Sequence, residues 1–208
     1  MKTIYILVLE FFCGSLMFSF WFGQIKNIDL RSIRDGNPGA FNLIYAAGFK
    51  IGILGVLLDF LKGYFPLILF INNNYYLPNN KMKIIVALAP ILGHAFSPFL
   101  KFNGGKSVAV TFGVWSAVSN FEISFAYAII LAILFLGAKI IKDKKGYPTT
   151  PEEDALMIII GFLILLIYIL ANSFAEYITV LWFLNLIVFI YKNKDTLYTL
   201  YRMKLAKR

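Results

Sequence analysis

Apolar runs bounded by charged residues, glycine, proline and asparagine divide the chain into seven helical segments, near residues 3–23, 43–71, 83–100, 107–120, 121–141, 155–172 and 175–191. A helix needs about 20 mostly apolar residues to cross the hydrocarbon core of a bilayer. By that measure 107–120 is short for a full crossing. The segment at 43–71 is long and contains Asp59, Lys62, Gly63 and Pro66, so the pattern predicts a kink or break there. Asp59 and Lys62 stand three apart on one helical face, and pairing relieves the penalty that either charge would meet alone in the membrane.

Composition turns this pattern into a class. At 60% hydrophobic and 15% charged residues, with a mean hydropathy of +0.74, the chain is too apolar for a water-soluble domain, which is about 45–50% apolar. The expected architecture is all-α: a polytopic membrane bundle of about seven transmembrane helices, residues 1–208 forming one domain. The single cysteine, Cys13, excludes an intramolecular disulfide. One histidine and the lack of a carboxylate cluster at ligand spacing leave no metal or cofactor expected.

The net charge of +9 is explained by topology, and nucleic acid is not an expected partner. With the N-terminus outside, the loops at 24–42, 101–106 and 142–154 and the tail after 191 share one face. That face carries Lys26, Arg31, Arg34, Lys101, Lys106, Lys142, Lys144 and Lys145, against Lys2, Lys81 and Lys83 opposite. The positive-inside rule assigns it, and the C-terminus, to the cytoplasm. The first segment is longer than a signal-peptide core and carries Glu10, so it reads as a mature helix. The basic tail, with Leu197, Tyr201 and Leu205 at helical spacing, predicts a helix lying on anionic headgroups.

Two inner loops carry candidate chemistry. In the first, Gly36 and Gly39 permit positive φ and convergence of backbone amides on an anion, while Asn37 and Asn42 offer hydrogen bonds; an ordinary turn before a helix explains the same residues. In the second, Gly104-Gly105-Lys106-Ser107 leads into a helix, so amides, an ammonium and a hydroxyl can together hold a phosphate. A nucleotide-binding P-loop is excluded because Leu100 occupies the position of its first glycine. Simple snorkelling of Lys106 is the alternative. His94, the lone histidine, is open to two readings, a helix-packing residue or a general base, and Glu10 is either an intramembrane acid or a side chain solvated near the outer interface.

Four motifs, in order, resemble the bacterial acyl-phosphate-dependent glycerol-3-phosphate acyltransferases. They are Gly14-Ser15; Asp29-Leu30-Arg31 followed by Gly36-Asn37-x-Gly39-Ala40-x-Asn42; Leu57-Leu58-Asp59-x-Leu61-Lys62-Gly63-x-x-Pro66; and Gly93-His94-x-Phe96-x-Pro98 through Gly104-Gly105-Lys106. The resemblance spans about residues 14–114; beyond it the match is mainly one of hydropathy. It implies an enzyme of phospholipid synthesis that moves an acyl chain from acyl phosphate to glycerol 3-phosphate, giving lysophosphatidate. Its partners would be these substrates, or another phosphorylated alcohol as acceptor, together with membrane lipids.

Where the family has serine, threonine and arginine, this chain has Asp35, Phe41 and Tyr45. Ser107 replaces a glycine, and the family's C-terminal His-x-x-Asn falls near Asn193 and Thr196. The expected catalytic residues are Asp35, His94 and Lys106. The expected phosphate- and substrate-binding residues are Arg31, Gly36, Asn37, Gly39, Asn42, Gly104, Gly105 and Ser107. Proton removal from the alcohol is left open among Asp35, His94 and a substrate phosphate oxygen. Gly48, Gly52 and Gly55 either open a groove for the acyl chain or serve close helix packing. The alternatives are an acyltransferase with a changed acceptor and a lipid-phosphate binder or transporter, the latter disfavoured because the two halves show no inverted repeat.

Overall fold

A computed structural model describes residues 2–143 and 149–205. Lys144, Lys145 and Pro148, from the connection expected at 142–154, lie outside the described residues, as do Lys207 and Arg208. Among the described residues the regular structure is helical: α1 (Lys2–Ser15), α2 (Phe18–Ile25), α3 (Ala40–Ala47), α4 (Phe49–Ile68), α5 (Asn80–Ala95), α6 (Val108–Ser119), α7 (Glu122–Asp143), α8 (Pro151–Ala171) and α9 (Glu176–Leu205). Among the described residues, five stretches are long and apolar enough to cross a membrane: Lys2–Ile25, Phe49–Ile68, Asn80–Leu100, Glu122–Ile141 and Pro151–Ala171. The chain is a multi-pass membrane protein. Helix α6, with 12 residues, is about 18 Å long at 1.5 Å per residue, too short for the core.

The breaks fall elsewhere than the proline suggests. The segment at 43–71 divides at Gly48, whose φ of +83° and ψ of 166° suit glycine alone, and α4 then runs unbroken through Pro66. Pro66 is two residues from the end of α4, where its missing amide costs one helical hydrogen bond without ending the helix. The first segment divides between α1 and α2, and the interruption presents the Leu16 carbonyl, which accepts a hydrogen bond from Lys62. The tail does not form a separate surface helix. It continues α9, with Asn193 fully buried and Leu197 packed on the core.

Small residues set the helix pairs. A Cβ at Gly14 would lie 2.2 Å from the Pro90 carbonyl oxygen and one at Gly93 would lie 2.1 Å from that of Phe11, so α1 and α5 touch backbone to backbone. Gly63 and Gly113 do the same for α4 and α6, against Val110 and Phe60. On the other side of α5 and α6 an aromatic core joins α6 to α9. Phe162 stacks on Trp182 at 5.7 Å, while Trp115 Nε1 donates to Asn185 Oδ1 at 3.0 Å and Tyr127 OH donates to the Ile158 carbonyl at 2.9 Å. Ile129, Ile133, Leu136 and Ile140 form an exposed apolar stripe along α7, as expected of a surface that faces lipid.

Candidate active site

The first loop is built around a buried asparagine. Asp29 caps the turn at Leu30–Ser32 by accepting from the Arg31 amide at 2.9 Å. Arg34 (φ +49°) and Gly36 (φ +70°) then reverse the chain through left-handed conformations. Asn42, near the start of α3, points its Nδ2 back into this reversal, donating to the Ile33 carbonyl at 2.8 Å, the Asn37 carbonyl at 2.9 Å and Asp35 Oδ1 at 3.0 Å. Asn42 is 1% exposed, so it organises the loop and is not a free donor for substrate. Asp35 Oδ1 also accepts from the Asn37 amide at 3.2 Å, which leaves Oδ2 projecting toward the second loop.

The second loop folds back on the end of α5. The Gly104 amide donates to the Ala95 carbonyl and the Gly105 amide to the His94 carbonyl, each at 3.1 Å. This corrects the expectation of an amide cradle at these two glycines: their N–H groups are spent on backbone. They are glycine because of close approach. A Cβ at Gly104 would lie 1.9 Å from the His94 carbonyl oxygen and one at Gly105 would lie 2.4 Å from His94 Nε2. Ser107 also departs from expectation, since its hydroxyl donates to the Ile91 carbonyl at 3.1 Å from a position 1% exposed. It fastens the start of α6 to α5.

The two loops meet through charge. Lys106 Nζ lies 2.7 Å from Asp35 Oδ2 and donates to Thr196 Oγ1 of α9 at 3.2 Å. Arg31 spans the loops, donating to the carbonyls of Gly36 and Asn103, and so acts as a clamp. Arg34 pairs with Asp154 of α8 at 2.7 Å and lies over the Tyr45 ring, 5.7 Å from its centre. Burial alone would raise the Asp35 pKa. The adjacent Lys106 ammonium, helped by Asn42 and the Asn37 amide, outweighs it and holds the carboxyl below the usual carboxylate range.

Beneath the loops, Lys62 Nζ lies 2.7 Å from Asp59 Oδ1, as the spacing predicts. It also lies 2.9 Å from His94 Nδ1 and donates to the Leu16 carbonyl, while Ser19 donates to Asp59 Oδ2 at 2.8 Å. Asp59, Lys62 and His94 are all buried.

Asp35, Asn37, Gly39, Asn42, His94, Lys106 and Ser107, from the expected set, line one cavity of about 390 Å³; Arg31, Gly36, Gly104 and Gly105 do not line it. Arg34, Asp59 and Asp154 also face it, and its remaining walls are apolar, including Phe41, Phe112, Leu131, Phe135 and Ile158. A second cavity of about 390 Å³ shares Val56, Ala109, Phe112 and Ala128 with the first and continues between α4, α6 and α7 to Phe121 and Phe125. Gly52 and Gly55 do not line it. They let α4 close against Ile44 and Ser19, which settles them as packing residues. Of the two positions where the C-terminal motif departs from the family, Thr196 meets Lys106, while Asn193 is buried and donates to the Phe189 carbonyl. Sequence reasoning missed Arg34 and Asp154, 120 residues apart, because nothing local pairs them.

Fold and site together define a polytopic membrane protein in which ion-paired basic side chains sit at the mouth of an apolar cleft. The family model described as glycerol-3-phosphate acyltransferase matches residues 4–202. Glycerol-3-phosphate acyltransferase 1 of Thermotoga maritima is 41% identical over 197 residues, 93% of this chain and 95% of that one. The Aquifex aeolicus glycerol-3-phosphate acyltransferase is 35% identical over 64% of this chain and 68% of its own. In fold, the chain resembles the crystal structure of PlsY (YgiH), an integral membrane glycerol 3-phosphate acyltransferase, in its glycerol 3-phosphate form. The TM-score is 0.81 at 24% identity, covering 97% of this chain and 93% of that one. The protein belongs to the glycerol-3-phosphate acyltransferase family.

Proposed function

We propose that this site transfers an acyl chain from acyl phosphate to glycerol 3-phosphate on the cytoplasmic face of the membrane, as one membrane-embedded unit. The observation that carries the reading is the cavity itself, with Lys106 and Arg34 at one end and an apolar cleft running between helices at the other. Acyl phosphate has the same two halves. Its phosphate would reach Lys106 beside Asp35, and its chain would extend between α4, α6 and α7. The glycerol hydroxyl oxygen attacks the acyl carbon, a new ester C–O bond forms, and the bond to the phosphate oxygen breaks with release of inorganic phosphate. The donor is already activated, so the protein's contribution is positioning and charge stabilisation. A carboxyl held below its usual range is a weak base, which favours a substrate phosphate oxygen over Asp35 as the acceptor of the hydroxyl proton.

Purified protein supplied with radiolabelled acyl phosphate should convert glycerol 3-phosphate to lysophosphatidate without coenzyme A. Transfer only to a different alcohol would replace the acceptor, and no transfer to any alcohol would favour a binding protein. The orientation has its own test. In a Cys13→Ser background, cysteines at the exposed positions Ser32 and Lys101 should react with an impermeant thiol reagent only from the cytoplasmic side. One at Asn74 should react only from outside. Opposite labelling of the first two would separate the loops that the site joins.

A further inference from the structure

Resting on the acyl-transfer reading, we propose that Lys62 fixes the tautomer of His94, so that the ring offers Nε2–H to the substrate's phosphoryl or carbonyl oxygen as a hydrogen-bond donor and does not act as a base. The argument is one of counting. An ammonium has three protons and no lone pair. Lys62 Nζ faces three acceptors, Asp59 Oδ1, the Leu16 carbonyl and His94 Nδ1. Nδ1 must therefore accept, and in a neutral imidazole the proton then sits on Nε2.

The surroundings of Nε2 fit a donor. His94 lines the cavity, and among the described residues Nε2 meets no hydrogen-bond partner, its one side-chain bond being made through Nδ1. The face of Gly105 covers this nitrogen without filling the space beside it: a Cβ there would lie 2.4 Å from Nε2 and 3.3 Å from Asn37 Oδ1. Two motifs far apart in sequence thus serve one atom, Lys62 from behind and Gly105 by its missing side chain. Lys62 is itself held by Asp59, which Ser19 in turn anchors. Lys62 and Asp59 act through the ring and are positioning residues. The ring would stabilise charge that develops on the substrate oxygen as the acyl carbon is attacked.

Because the chain has one histidine, histidine labelled with ¹⁵N reports this ring alone. In the purified wild-type protein near neutral pH, Nε2 should carry the proton and Nδ1 should not; a proton on Nδ1, or on both nitrogens, would overturn the proposal. A long-chain acyl phosphonate, which cannot transfer its chain, should shift the Nε2–H signal, and an unmoved signal would remove the donor role. These readings need no turnover, so failure of the assay on acyl phosphate would indict the reaction and not the tautomer. The paired change Asp59→Asn with Lys62→Met removes the ammonium without stranding a carboxylate. It should mix the tautomers and lower kcat about tenfold while KM for glycerol 3-phosphate stays within about twofold. An unchanged tautomer would show that Lys62 does not set it. His94→Gln, whose amide nitrogen falls near Nε2, should keep activity within about tenfold of wild type, and His94→Asn should lose about a hundredfold. Equal losses would point to a base.

Discussion

Lys106→Ala should lower acyl transfer by about two to three orders of magnitude, the loss typical of removing one preorganised donor from a shielded site. Lys101→Ala, only five residues earlier, should change it by less than about twofold. The two lysines differ in surroundings. Lys101 is exposed at the end of the Pro98–Leu100 turn, where its charge is screened by water. Lys106 faces the cavity with Asp35 and Thr196 holding its ammonium in place. Its loss should appear mainly in kcat/KM for acyl phosphate, because the variant must meet a phosphate with Asp35 unneutralised. Equal, small effects of the two substitutions would make Lys106 a headgroup anchor.

The second large effect concerns Asp35, the partner of Lys106 across the two loops. Asp35→Asn keeps an oxygen for Asn42 and the Asn37 amide but turns an amide donor toward the Lys106 ammonium, donor against donor. Turnover should fall about ten- to a hundredfold through misplacement of Lys106. The affinity for inorganic phosphate should rise, since the internal anion that competes for Lys106 has gone. Asp35→Ser should lower turnover less, because a hydroxyl can accept from Lys106. If Asp35 acts through Lys106, its effect should nearly vanish in a Lys106→Ala background, where a double-mutant cycle reads the coupling. Full effects in both backgrounds would give Asp35 an independent role. The ion pair also sets a pH dependence of stability. Its contribution is fully present above the ordinary carboxylate pKa of about 3.9 and is lost as pH falls through the lower folded value. Acid unfolding of Asp35→Asn should therefore lack that part of the wild-type slope.

Local chemistry accounts for what the sequence made legible. Apolar length marks the spans because the bilayer imposes one thickness on every crossing, and a three-residue spacing brings Asp59 to Lys62 on any α-helix. Gly36 was visible as a turn residue for the same reason, since a left-handed turn is decided within a few residues, whereas Asn42 was read as a donor to substrate and its bonds go to the loop itself. Long-range pairing was not legible. Arg34 finds Asp154, and Lys192 donates to the Ala95 carbonyl at 3.0 Å, only because the bundle brings distant helices together. The glycines of the second loop were read as anion-binding amides when their requirement is steric, set by a histidine ring and carbonyl that the sequence places nine or more residues away. Gly48 and Pro66 show a related limit. Both can break a helix, and position within the packed fold decides which one does.

The bond from Lys106 to Thr196 and that from Lys192 to the end of α5 come from α9, which is synthesised after both of the elements it steadies. A partly synthesised chain can hold both site loops and α1 to α8 and still lack the Thr196 contact to Lys106. The site is therefore completed only once α9 is in place, and a nascent chain halfway into the membrane would lack a complete centre. A premature stop after residue 191 would leave the apolar segments in place and the cation unsteadied, giving a membrane-resident but idle product.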